Sequence, residues 1–149
     1  MTVTIPNNPA ARAIIAMFQG TTKLQRKGMQ ITASLGTLLT FALSDNASAE
    51  TSALVVTPPT ATSNLSVAQK LSNESSEPVL AQGMLAIVSP AGTLVAKQAM
   101  TPRRLLPGET TGVKAEYGGE LSAGRYRALV TYVLQNNKTL TSSAEFDVR

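Results

Sequence analysis

Between residues 30 and 43 apolar and small polar side chains alternate for about seven repeats. Ile31, Ala33, Leu35, Thr37, Leu39, Phe41 and Leu43 take the odd positions; Thr32, Ser34, Gly36, Thr40 and Ala42 fill most of the even ones. A period of two marks a strand with one apolar and one wet face, whereas a helix would scatter the same side chains around its circumference. At roughly 3.4 Å per residue, such a strand is long for so short a chain. It is either the spine of a sheet or an edge that offers its backbone and apolar face to another chain.

The remaining composition suits thin sheets. Of 149 residues, 43% are apolar, but only 4% are aromatic and 15% charged, so Ser, Thr, Ala and Val fill much of the chain. The net charge of +4 is uneven, with +3 carried by residues 1–45 through Arg12, Lys23, Arg26 and Lys27 against Asp45. Four basic residues with almost no interleaved aromatics argue against a nucleic-acid surface and for a solvated turn at 23–27. Cys, His and Trp are absent. Disulfides, thiolate nucleophiles, cysteine-based zinc sites and a Ser-His-Asp arrangement are therefore excluded.

Read in order, residues 2–5 form a short β-prone run that ends at Pro6, and Asn7, Asn8 and Pro9 signal a turn. Residues 10–18 mix helix and strand formers. The loop-like residues 19–27 that follow make a hairpin into the long strand the better reading. Residues 46–52 form a polar linker of small side chains. Beyond it, seven strand-length runs fall within about 97 residues, separated by turn signals, as in an immunoglobulin-like antiparallel β-sandwich. Ser89-Pro90-Ala91-Gly92 between two such runs predicts a hairpin. Tyr126, opening the penultimate strand after Gly124, is placed for a tyrosine corner. The expected organisation is a β-hairpin segment at 1–45, a linker at 46–52 and a sandwich at 53–149.

A secretory leader competes for the first third. Lys23–Lys27 would be its charged part, residues 31–43 its apolar part, and Ala47-Ser48-Ala49 its cleavage site. A leader of about 49 residues exceeds the usual length, and alternating Thr and Ser do not suit a signal core.

Catalytic constellations are not legible, and neither an enzyme nor a cofactor is expected. Glu116 and Glu120 flank a turn; Glu145 and Asp147 stand two apart on the outward face of the last strand. Gly108, Gly118, Gly119 and Gly124 fall in turns without a phosphate-cradling spacing. Carboxylates alone remain for a metal, and no metal site is expected. Asn64-Leu65-Ser66 and Asn73-Glu74-Ser75 match glycosylation sequons, which chance readily produces in a chain rich in Ser and Thr.

Residues 5–43 resemble the end of the first domain of periplasmic chaperones of chaperone–usher pilus assembly, in a divergent or truncated form. Residues 5–9 match the approach to that domain's sixth strand, residues 13–18 the strand itself, and residues 29–41 its alternating seventh strand. The resemblance implies a noncatalytic protein of the periplasm or cell surface that lends this strand to a partner subunit. It would do so through Ile31, Ala33, Leu35, Leu39 and Phe41, with Leu43 continuing the apolar run. The family also carries a carboxylate-binding Lys on that strand, where this chain has Leu38 and Thr40. The implied partner is a pilin-like subunit or another copy of the chain, with no nucleic acid and no membrane span. The alternative is a structural β-sandwich module of a cell surface or virion.

Overall fold

The computed structural model describes residues 4, 5, 7, 12–23 and 30–149, and among these every regular element is a β-strand. They divide into two units, Met1–Ala42 and Leu43–Arg149. The first holds β1 (Ala13–Lys23) and β2 (Gln30–Thr40), paired antiparallel as a two-stranded sheet. The second holds β3 (Ala49–Thr51), β4 (Val55–Thr57), β5 (Leu65–Asn73), β6 (Val79–Val88), β7 (Leu94–Ala99), β8 (Arg103–Leu105), β9 (Thr110–Tyr117), β10 (Gly124–Leu134) and β11 (Thr139–Val148). The all-β, antiparallel sandwich expected from the strand spacing is the architecture found. Most of the expected turn at 7–9 and of the basic run at 23–27 lies outside the described residues, as do residues 2 and 3.

Alternation built the sandwich. In β5, Leu65, Val67, Gln69, Leu71 and Asn73 turn inward; in β10, Tyr126, Ala128, Val130, Tyr132 and Leu134 do so. One sheet runs β11-β10-β6-β7, with β8 continuing the β7 edge of β6; in the other, β5 pairs with β3 and β4 on one edge and β9 on the other. Apolar side chains from both inner faces meet in one core. Along one side the sheets are tied by the Thr51 and Ser142 hydroxyls, 2.9 Å apart. On the outer face, Arg127 and Arg125 of β10 reach Glu145 (2.8 Å) and Asp147 (3.3 Å) of β11. Glu116 meets Lys114 at 2.7 Å, so these carboxylates are solvated charges, as their positions predicted.

The β6–β7 hairpin turns where the sequence placed it. The Gly92 amide donates to the Ser89 carbonyl, and Gly92 takes a φ of 80°, a conformation that favours glycine. Tyr126 also behaves as expected: its hydroxyl donates to the Ser122 carbonyl at 3.0 Å, and its ring stacks on Phe146 with centroids 5.7 Å apart. Tyr126→Phe keeps the stacking and loses only this bond, so the sandwich should melt about 5 °C lower, for a loss of about 1 kcal/mol. An unchanged melting curve would show that the bond carries no stability.

Residues 46–52 are not a linker. Ala47 and Ala49 are buried, and β3 pairs with the end of β5, opposing Thr51 to Leu71. The segment and the residues just before it are held by side chains distant in sequence. The Glu77 carboxylate accepts from the Leu43 amide (3.0 Å) and the Ser44 hydroxyl (3.1 Å). Asn136 donates to the carbonyls of Asp45 and Ala47, both at 2.8 Å. Asn73 of the second sequon is likewise committed to the interior, being 1% exposed.

Candidate functional site

The long alternating segment folds as β2, and its only strand neighbour among the described residues is β1. Their register opposes Ala13 to Thr40 and continues to Lys23 opposite Gln30. β1 thus runs through residues 19–23, where a loop was expected. Thr21 and Thr22, β-branched and at home in strands, pair with Thr32 and Ile31.

The anticipated site residues fall as follows. Ile31 and Ala33 occupy register positions opposite Thr22 and Gly20, and Leu35 lies opposite Phe18. Leu35 is 72% exposed and Leu39, opposite Ile14, is 40% exposed. Phe41 stands just past β2, half-buried, with its amide donating to the Arg12 carbonyl at 3.1 Å. Leu43 does not belong with them. It is the first residue of the second unit, where Glu77 holds its amide.

Sequence reasoning missed the contribution of β1. Opposed residues of an antiparallel pair share a face. Ile14 therefore joins Leu39 on one face, while Ile15 opposite Leu38 and Met17 opposite Gly36 place apolar groups on the other. Ile15 and Met17 are 70% and 72% exposed. The ribbon is open and apolar on both faces, rather than wet on one. The adjacent Ile14 and Ile15 were the available signal, because two consecutive large apolar residues in a strand must point to opposite faces.

Other concave surfaces offer little chemistry. At one end of the sandwich a hollow of ≈ 750 Å³ lies between residues 59–64 and 117–122, with Glu120 and Arg149 as its charged groups. On the outer face of the larger sheet, Met84, Ala86, Ala99 and Val133 border another, of ≈ 580 Å³. No group of three or more metal-ligating side chains occurs among the described residues. No helix among them is long and apolar enough to cross a membrane.

Neither a protein-family model nor a curated protein sequence matches the chain. Similar solved structures do exist. A β-glucuronidase of Bacteroides uniformis is 22% identical, covering 64% of this chain and 13% of its own, with a TM-score of 0.50. A structure of β-glucuronidase 2 from the same organism, covalently bound to an aziridine, has the same identity and coverage and a TM-score of 0.52. The alkylpurine DNA glycosylase of Pseudomonas fluorescens, bound to DNA with an abasic site analogue, is 20% identical over 68% of this chain and 30% of its own, also with a TM-score of 0.50. The chain spans less than a third of each of these proteins, and at such identities the likeness concerns the fold alone.

Proposed function

We propose that this protein is a noncatalytic, extracytoplasmic binding protein of the pilus-chaperone kind, in which the β1–β2 ribbon adds a strand to a partner subunit. The observation that carries this reading is an eleven-residue strand, β2, paired on one edge only among the described residues. Leu35, Leu39, Ile15 and Met17 are exposed on its ribbon. An isolated two-stranded ribbon is marginal in water, and an open apolar edge is a template for another chain. Covering each large side chain contributes roughly 1.5–3 kcal/mol, while backbone pairing sets the register. The Greek-key strand order and the Tyr126 hydroxyl bond support reading the sandwich as immunoglobulin-like. The partner is an incomplete immunoglobulin-like subunit of the pilin type, and the setting is the periplasm or cell surface.

The test is to mix the full chain with a pilin-type subunit that lacks its final strand, and to weigh the product by light scattering after gel filtration. A one-to-one complex is expected, and Leu39→Lys should weaken it at least about 100-fold by placing a charge in the apolar contact. All three tyrosines, Tyr117, Tyr126 and Tyr132, lie in the second unit, so near-ultraviolet circular dichroism follows the sandwich. Its melting should not change in the variant. Absence of a complex, or one indifferent to Leu39→Lys, would leave the reading as a structural module in its place. If the chain alone forms a dimer that Leu39→Lys dissociates, the partner is a second copy.

A further inference from the structure

The outer faces of the two sheets differ in character. In β5, the middle strand of the smaller sheet, Ser66, Ala68, Lys70 and Ser72 turn outward. In β6, an interior strand of the larger sheet, Leu80, Met84, Ala86 and Val88 turn outward, and Gln82 is the one polar residue among them. An antiparallel sheet with one wet face alternates apolar with polar residues, whereas β6 is apolar on both faces.

This outer face is also hollowed. Met84 lies opposite Ala99 of β7 and Thr131 of β10, and Ala86 lies opposite Lys97. Opposed residues share a face, so all of these are on the outer one, together with Val133 opposite Gln82. β7 leaves β6 after Ala99, and β8 rejoins it only at Arg103, opposite Ala81. In the gap the Met100 amide donates to the Gly83 carbonyl at 2.9 Å, and Met100 packs into the core at 9% exposure. Pro102 has no amide hydrogen with which to resume the pairing. The step in the sheet edge and the short side chains of Ala86 and Ala99 leave the hollow of ≈ 580 Å³ that these residues line. Its volume suits a small ligand.

The lining decides what that ligand is. Met84, Ala86, Ala99, Met100, Pro102 and Val133 are apolar, neither Asp nor Glu is among the lining residues, and the one charged group is Lys97. The Lys97 amine has no carboxylate or hydrogen-bond partner among the described residues. A sugar would leave most of its hydroxyls unpaired, because only Gln82 and Thr131 add neutral polar side chains. A metal ion would find no carboxylate, and a phosphate only one cation. An apolar tail with a single negative head matches both the lining and the charge. We propose that this hollow binds a medium-chain fatty-acid anion, with its alkyl chain over Met84, Ala86 and Ala99 and its carboxylate at Lys97. The inference is independent of the β1–β2 ribbon.

The test labels the methyl groups of the five methionines with carbon-13 in the full chain and titrates it with sodium decanoate to about 5 mM. The signals of Met84 and Met100, assigned through Met84→Leu and Met100→Leu, should shift along one binding curve. Met17, exposed on the ribbon, should stay in place. Octanoate, the shorter homologue, should bind about tenfold more weakly, because it buries less alkyl chain. Lys97→Met should weaken octanoate about fivefold and leave octanol unchanged, which separates the charge from the apolar contact. No shift at Met84 and Met100, a shift confined to Met17, or equal losses for octanoate and octanol would overturn the assignment. So would Met84 and Met100 signals that move on dilution of the protein alone while light scattering follows a dimer into monomers, since a second copy would then cover this face.

Discussion

Replacing Asn73 by Ala should lower the stability of the sandwich by roughly 3 kcal/mol, read as a fall of about 15 °C in the tyrosine-detected melting temperature. The Asn73 Nδ2 donates to the carbonyls of Glu77 (2.8 Å) and Leu105 (3.2 Å). Its Oδ1 accepts from the Ser75 amide (2.9 Å) and the Ser75 hydroxyl (2.8 Å). Ala removes all four bonds from a position that is 1% exposed; the Ser75 amide and the Leu105 carbonyl lose Asn73, and the Glu77 carbonyl keeps the Ser75 hydroxyl at 3.0 Å. Leaving such groups unpaired is more damaging than the net gain each bond provided. The consequence reaches the start of the unit, because the same loop sets Glu77, whose carboxylate holds Leu43 and Ser44. Asn73→Asp should do no better, since a carboxylate cannot donate to either carbonyl. A loss below about 1 kcal/mol in both variants would mean that the loop is not organised by this side chain.

Gly83→Val should destabilise the sandwich by about 2–3 kcal/mol through overpacking. A Cβ there would lie 3.0 Å from the Tyr132 ring, 3.1 Å from the Met100 Cβ and 3.2 Å from its sulfur. Valine adds two further methyl groups to a position already too tight for one carbon. The ring cannot retreat, being 1% exposed and packed in the core. Combining Gly83→Val with Tyr132→Leu should recover part of the loss, because the second change removes the volume that the first requires. The two changes oppose each other across strands, so their effects should not add. Additive losses in urea unfolding of the single and double variants would show that Gly83 is not glycine on account of Tyr132.

Much of the architecture was legible because it follows from local chemistry. The period-two runs of β5, β10 and β11 carry their own inward and outward faces. The turn at residues 89–92 needed only Pro90 and Gly92, and Tyr126 was recognisable from its place after Gly124. The candidate site was half legible: the alternation of residues 31–41 marked one strand of the ribbon. Its second apolar face depends on β1, whose register brings Ile15 and Met17 alongside Leu38 and Gly36.

Residues 46–52 show the limit most clearly. Their composition resembles a linker, yet Asn136 reaches Ala47 from 89 residues away and Ser142 reaches Thr51 from 91. The short β8 was missed because three residues carry no period, and it exists through pairing with Val79, Leu80 and Ala81.

The amino-acid order alone thus determined that this chain makes strands, where most of them lie and which side chains each turns inward, because these are properties of neighbours two residues apart. Only the tertiary structure decided where the second unit begins, which polar groups enter its core, and that β2 keeps an unpaired edge among the described residues. Those outcomes depend on strand pairings and long-range hydrogen bonds, whose free energy exists only once distant segments have been brought together.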